Sequence, residues 1–408
     1  MHILFITDNF PPEVNAPASR TFEHCREWVK SGVDVTVITC APNFPTGQVF
    51  KGYKNSIFPK YEQIDGIKVL RVWSYITSNQ GFLKRSLDYI SFMVSSIIFS
   101  SKARKVDIII GTSPQFFTVC SAYVISIIKM KPYIFELRDL WPESISAVGA
   151  INNKYVLLLL EKIELFLYEK AKIIVSVTNA FKANLVSRGI NENKIFVVTN
   201  GVDLNRFKPL SKDIHLLKNL GLENNFILGY IGTIGMAHSL EILLEVAKEL
   251  EFKKYKKIKI IILGDGSNKN DLLIKANRDN IKNLIFLNSV SKELVPSYWS
   301  ILDLSIIHLK NVSTFHSVIP SKLFECMAMG LPIVHGVKGE SAKIVSDYDI
   351  GLLFEPEDSK SLTKSIIRLY DDAKTLRKLS KNSLVAAQDY SRVKLANNML
   401  KILYKVIK

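Results

Sequence analysis

Two doubly wound α/β domains, each a parallel sheet covered by helices on both faces, are what this 408-residue sequence predicts. Three observations carry the prediction. The chain is too long for one ordinary core and suits two domains of roughly 200 residues. Short runs rich in Ile and Val alternate with longer helical patterns from end to end, the signature of parallel strands joined by crossover helices. Several runs, such as Ile108-Ile109-Ile110, are continuously apolar rather than alternating, as strands buried on both faces should be.

Taken in order, strands are expected at 3–7, 34–39, 68–72, 108–111, 133–137, 173–177 and 196–198 in the first half. The second half restarts at 227–231 and continues with 259–263, 284–287, 304–308, 333–335 and 351–354. A polar, lysine-bearing stretch at 207–225 reads as the connection, so the boundary is placed at residue 206. The last helical stretch, 391–408, could belong to either half and is assigned to the first. Two such domains side by side make a central cleft at the carboxyl ends of their sheets, where ligands bind in doubly wound folds. The segments 86–104 and 153–172 are apolar with basic ends, and read as buried helices or as an apolar face laid against a membrane.

Composition narrows the function. The formal charge is +16, with 23 Lys/Arg against 16 Asp/Glu in residues 1–200 and, by subtraction, 31 against 22 in the rest. An excess shared so evenly (+7 and +9) fits phosphate-bearing ligands or an anionic membrane surface better than a nucleic-acid arm, so no nucleic-acid partner is expected. A solvated lysine-rich surface with no partner is the plainer alternative. The four cysteines, at 25, 40, 120 and 326, have no paired spacing and read as small buried hydrophobes in a reducing compartment. The N-terminus enters a strand at once and no apolar stretch reaches the ~18 residues of a spanning helix, so a cytoplasmic protein is expected. The seven histidines lack ligand spacing, no Gly-x-Ser-x-Gly elbow appears, and Asp347-Tyr348-Asp349 reads as a solvated turn rather than a metal site.

The segment 320–334 is the most informative. Pro320 sits at a first helical turn, Lys322 and Glu325 follow on an otherwise apolar helix, and Gly330 and Pro332 stop it before a buried strand. A carboxylate there is costly to bury without a partner, and the diol of a ribose is the cheapest one. Gly232-Thr233-Ile234-Gly235 and Gly264-Asp265-Gly266 close two strands, either as tight turns or as places where backbone approaches phosphate oxygens. A nicotinamide fingerprint fits poorly, because Lys269 stands where a third glycine belongs and no acid ends the next strand at Leu287-Asn288. In the first half, the proline-rich loop Asp8 to Arg20, including Asn15 and Ala16, and the charged segment Arg138-Asp139-Leu140-Trp141-Pro142-Glu143 follow strand ends and suit acceptor recognition. A plain structural loop and a surface ion pair are the bland readings of the two. Asn200-Gly201-Val202-Asp203 is a turn at the end of that half.

Together these stretches resemble the family-4 retaining glycosyltransferases of the GT-B fold. The resemblance runs nearly end to end through Phe10-Pro11-Pro12, Gly32 to Val37, Asn200 to Asp203, Gly264 to Gly266 and the Glu325 helix with Gly330-x-Pro332. Asn15 to Arg20, Ala41 to Pro45, Arg138 to Glu143 and Pro320-Ser321-Lys322 are similar to the WbuB-type subgroup, assigned to lipopolysaccharide and capsule assembly, often as N-acetylfucosamine transferases.

That resemblance implies transfer of a sugar from a nucleotide diphosphate, expected to be UDP, to a polyprenyl-diphosphate-linked saccharide at the inner face of a bacterial cell membrane. It implies retention of configuration by same-face attack, with neither cofactor nor metal. Glu325 would hold the ribose and Gly264 to Gly266 would bracket the nucleoside. Two departures matter. The family's first glutamate, eight residues before Glu325, is Ser317 here with His316 beside it, so its role passes to these or to backbone groups. The usual Arg and Lys after the first strand of the second domain are missing, His238 being the one candidate cation in that loop. Lys322, aided by the amides of Ile319, Ser321, Lys322 and Leu323 that flank Pro320, is expected to supply that charge toward the diphosphate. Rival readings are a sugar-nucleotide epimerase or hydrolase of the same fold, and a non-catalytic sugar-nucleotide-binding scaffold.

Overall fold

The computed structural model describes residues 1–77, 82–143 and 153–407. It divides into two compact units, Met1–Asn200 with Arg392–Lys408, and Gly201–Ser391. The chain therefore passes between units at Asn200-Gly201, upstream of residue 206, and the polar stretch 207–225 lies inside the second unit.

The first unit contains β1 (His2–Ile6), α1 (Ala16–Lys30), β2 (Asp34–Cys40), β3 (Lys60–Ile64), β4 (Ile67–Val72), α2 (Phe82–Phe99), β5 (Ile108–Thr112), α3 (Phe116–Lys129), β6 (Tyr133–Leu137), α4 (Lys154–Lys170), β7 (Ile173–Ser176), α5 (Asn179–Ser187) and β8 (Ile195–Val197). Its eight-stranded sheet runs β3-β4-β2-β1-β5-β6-β7-β8. All neighbours are parallel except β3 with β4. The Asn15 side chain accepts from the Ala18 amide at 2.8 Å to start α1, with Pro17 in its first turn. The α2, α3 and α4 helices pack on one face of the sheet and α1 on the other.

The antiparallel strand β3 is the element the apolar pattern does not reveal. It is a sheet edge reading Lys-Tyr-Glu-Gln-Ile and largely solvated, so no burial stamps a pattern on it. Its signal is the two-residue turn Asp65-Gly66, both at positive φ (47° and 81°), which closes a hairpin between Ile64 and Ile67.

The second unit contains α6 (Ile214–Leu220), β9 (Phe226–Ile231), α7 (Ile242–Phe252), β10 (Ile258–Leu263), α8 (Lys269–Arg278), β11 (Leu284–Leu287), α9 (Val295–Ser300), β12 (Leu304–His308), α10 (Lys322–Met329), β13 (Ile333–Gly336), α11 (Glu340–Asp347), β14 (Gly351–Leu353), α12 (Ser359–Asp371) and α13 (Ala373–Asp389). Its parallel sheet runs β11-β10-β9-β12-β13-β14. Gly330 ends α10 in the left-handed region at φ 70°. The last helix, α14 (Arg392–Ile407), packs against α1 of the first unit, where the Trp28 indole donates to the Ala396 carbonyl at 2.8 Å.

Asp347, the last residue of α11, and Asp349, on the turn after it, are exposed and pair with Lys343 and Lys378. Cys25, Cys40 and Cys326 are buried free thiols, and Cys120 is half-buried and free.

Candidate functional site

The chain leaves β9 to build β10 and β11 on one side, then returns to place β12 on the other side of β9. The carboxyl ends of β9 and β12 thus form a topological switch point, the position where doubly wound sheets bind ligands. Gly232 follows β9 directly. The loop after β12 leads to Lys322, the first residue of α10.

The Lys322 ammonium is the decisive group. The residue is half-buried, but its Nζ is sealed from solvent with no hydrogen-bond partner. It lies 3.6 Å from the centroid of the Tyr230 ring, and 3.0 Å from where a Cβ on Gly232 would stand. The Tyr230 hydroxyl donates to the Thr233 carbonyl at 2.5 Å, which fixes the ring. Burial pushes the Lys322 pKa down to about 7, only weakly opposed by Cys326 and Glu325. A cation–π contact recovers up to about 2 kcal/mol of what a desolvated ammonium loses, and burying a charge costs more than that. The position favours an anion that brings acceptor oxygens to Lys322 beside the bare Gly232 backbone.

Glu325 stands three residues along α10, half-buried. The sequence suggests a carboxylate waiting for a diol. The structure shows that one oxygen already accepts from the fully buried Trp299 indole at 3.2 Å, so Trp299 orients the group. At the start of α10, Ser321 is exposed and its side chain makes no capping bond, while the Leu323 amide bonds the Pro320 carbonyl. Ile319 and Leu323 are buried in the core and anchor the turn from below.

His238 and His316 join the same region through a hub that the sequence reading does not include. The His308 Nδ1 bonds the His238 carbonyl at 2.8 Å, and the His308 Nε2 accepts from the Glu357 amide at 3.0 Å. These contacts assign the neutral Nδ1–H tautomer to His308. The Glu357 carboxylate holds the Asn311 amide at 2.9 Å and the Ser239 hydroxyl at 3.2 Å. Asn311 in turn meets His316 Nε2 at 3.2 Å. Burial, and then Lys322, push the His238 pKa down to about 4, so this ring is neutral near pH 7 and is no substitute cation. The Ser317 hydroxyl donates to the Thr314 carbonyl at 2.9 Å.

The glycine turns divide in role. A Cβ on Gly264 would stand 1.9 Å from the Gly232 carbonyl oxygen, and one on Gly266 would stand 2.4 Å from that of Ile234. These two glycines let the β9 and β10 loops pack backbone to backbone, locked by the Ile234 amide on the Asp265 carbonyl at 2.8 Å. Asp265 is exposed at the tip and its side chain accepts from the Gly266 amide. Lys269 is structural, its ammonium tying the Gly264 carbonyl (2.9 Å) to Asn288 Oδ1 (2.8 Å). Thr233 is exposed and Gly235 half-buried, with 3.6 Å or more around its missing side chain.

In the first unit, Arg20 is 2% exposed and bonds Glu136 at 3.0 Å, the Thr199 carbonyl at 2.7 Å and the Val198 carbonyl at 3.0 Å. It straps α1 to the end of β8, a use that takes up the donors an acceptor contact would need. Asn15 caps α1, Ala16 is exposed beside it, and Glu143 is exposed. The Arg138 and Asp139 amides share the Ser113 hydroxyl, and Arg138 donates to the Pro17 carbonyl at 3.3 Å. Burial, with Arg20 and Arg392 close by, lowers the Arg138 pKa to about 10.

Residues 18–206 match the model described as Glycosyltransferase Family 4, and residues 213–384 match that of the Glycosyl transferases group 1. The chain is a family-4 glycosyltransferase of the GT-B fold. The glycosyltransferase is 24% identical to WcaI of Escherichia coli strain K12, named for colanic acid biosynthesis, over 90% of this chain and 91% of that one. It is 27% identical to an Escherichia coli UDP-Gal:alpha-D-GlcNAc-diphosphoundecaprenol alpha-1,3-galactosyltransferase over 58% of this chain and 60% of the other. Its fold matches sucrose-phosphate synthase from Thermosynechococcus elongatus (TM-score 0.78, 14% identity, 99% and 98% coverage). It also matches Anabaena HepE solved with UDP-glucose (TM-score 0.73, 18% identity, 99% and 100% coverage).

Among the described residues of the glycosyltransferase, no group of three or more His, Cys, Asp or Glu is placed to hold a metal. A cavity of about 450 Å³ borders the His308 hub, its lining including Ser239 and Glu357 together with Glu245, Lys248, Arg278 and Asp279, the last four paired to one another. Of the residues the sequence did not single out, His308 carried a signal: a polar side chain at the carboxyl end of a buried strand. Trp299, Asn311 and Glu357 carried none, since each acts through a fold contact distant in sequence.

Proposed function

We propose that this glycosyltransferase moves a sugar, N-acetylfucosamine or a related amino sugar, from a UDP donor to a polyprenyl-diphosphate-linked saccharide during surface polysaccharide assembly. It retains anomeric configuration, uses no metal or cofactor, and works in the cytoplasm against the inner face of the membrane. The observation that carries this reading is the sealed, unpartnered Lys322 ammonium at the switch point beside Gly232. The diphosphate would accept from Lys322 at the start of α10, and Glu325, oriented by Trp299, would accept from the ribose diol. Donors fixed before the reaction and facing developing negative charge are typically worth several kcal/mol in acyl and phosphoryl chemistry, and the same term would act on the departing diphosphate.

The relatives support the class of substrate. One is named for a UDP-sugar and a diphosphoundecaprenol acceptor, and HepE was solved with UDP-glucose. A thermal-shift panel of UDP, GDP, ADP and their sugars tests the reading. Ligand at about 100 times its dissociation constant adds about 2.7 kcal/mol to the folded state. Stabilisation by UDP is expected, and a preference for guanosine or adenosine, or no response at all, would overturn the assignment.

A further inference from the structure

The helices α2, α3 and α4 lie side by side on one face of the first unit and bury their inner sides in a single apolar cluster. Their outer sides are also apolar. On α2, Leu87, Ile90, Val94 and Ile98 are 55, 39, 46 and 60% exposed, at spacings of three and four that align them in one outward stripe. Ile127 and Ile128 on α3, and Leu159 on α4, continue it at 58–59% exposure. Scattered apolar surface residues need no explanation, but a contiguous patch across three neighbouring helices marks a contact surface.

Charge identifies the occupant. Each of the three helices leads into a parallel strand, so their C-termini line the same edge of the sheet. That edge carries Lys102, Arg104 and Lys105 beyond α2, Lys129 and Lys131 at the end of α3, and Lys170 and Lys172 at the end of α4. The Lys129 ammonium bonds the Ala103 carbonyl at 2.8 Å, joining the first two groups. Cations at helix ends complement the helix dipole and need no partner by themselves. An apolar stripe flanked by such a row is the pattern of a surface that inserts into an interface and meets anionic headgroups. No helix among the described residues is long and apolar enough to cross a membrane.

We propose that the α2–α3–α4 face lies on an anionic lipid bilayer, with the apolar stripe entering the headgroup boundary and the basic edge meeting lipid phosphates. This rests on the reading that the acceptor is lipid-linked, and it names the face that would bring the glycosyltransferase to it. The test is sedimentation of the full chain with vesicles of phosphatidylglycerol and phosphatidylcholine, or of phosphatidylcholine alone. Binding to the anionic vesicles is expected, with a loss on the order of tenfold for Ile98→Glu with Ile128→Glu. Each of Lys102→Gln, Arg104→Gln and Lys105→Gln should cost about fivefold. Equal binding to both vesicle types, unchanged binding by the variants, or a concentration-dependent dimer that the Glu variants dissolve without any vesicle binding would each overturn the proposal. UDP-induced thermal stabilisation of the same variants separates the readings. If it survives while vesicle binding never appears, the face is wrong and the donor reading stands.

Discussion

Lys322 Nζ rests 3.6 Å from the Tyr230 ring centroid with no hydrogen-bond acceptor in reach. Under the proposed function, this contact would let a site without the cations expected after β9 take its charge from α10, with Tyr230 holding the ammonium until a diphosphate completes its coordination.

Replacing Lys322 with Met should therefore separate binding from folding. UDP affinity is expected to fall about 30- to 150-fold, the ~2–3 kcal/mol typical of a lost charged hydrogen bond. Stability should not fall with it. The folded-state pKa, about 7, lies below the unfolded value, so the unfolded chain binds more protons between the two. The wild type should gain stability as pH rises above 7, and the variant should lack that slope. Denaturant titrations at pH 6.5 and 9 read both.

The two glycine turns predict a contrast. Gly264→Ala places a methyl 1.9 Å from the Gly232 carbonyl, at a φ of 153° that side chains rarely adopt. It should destabilise the second unit by about 2–4 kcal/mol and abolish UDP binding, because it displaces the loop beside Lys322. Gly235→Ala meets nothing closer than 3.6 Å and should bind UDP within about twofold of wild type. Denaturation curves and UDP titrations of the pair decide it.

Trp299→Phe keeps an aromatic ring in the core, at the cost of a small void, and removes the indole donor to Glu325. A loss of about tenfold in UDP affinity is expected, the worth of a hydrogen bond to a charged group at its lower end. Glu325→Ala should go further and erase discrimination between UDP and 2′- or 3′-deoxy-UDP. Retained discrimination in that variant would remove Glu325 from the ribose.

Arg20 and Glu136 are both buried and bonded at 3.0 Å. Either single replacement, Arg20→Met or Glu136→Leu, should cost about 3–5 kcal/mol by leaving a lone buried charge. The double variant should recover much of that loss, as a double-mutant cycle by denaturation would show. Additive losses would mean that the carbonyl contacts of Arg20, not the ion pair, carry its role.

The parallel strands were legible because burial on both faces leaves unbroken apolar runs, as at Ile108-Ile109-Ile110. The edge strand Lys60–Ile64 was not, since solvent covers it and only Asp65-Gly66 betrays the hairpin. Lys322 and Glu325 could be read from their places on an apolar helix. What surrounds them could not: Trp299 lies 26 residues before Glu325, and Glu357 reaches His308 across 49. Gly264 and Gly266 were legible as close-approach positions, but the approaching group is the β9 loop backbone. Sequence spacing reports local geometry well and says little about which distant loop will fill it.

Isothermal titration of UDP at pH 8, in two buffers of different ionisation enthalpy, reads whether the diphosphate meets Lys322. At that pH the free Lys322, with its pKa near 7, is mostly neutral, and a diphosphate beside it should restore its proton. Uptake approaching one proton per UDP is predicted for the wild type and none for Lys322→Met. Equal uptake by both proteins, or none by the wild type, would contradict the account.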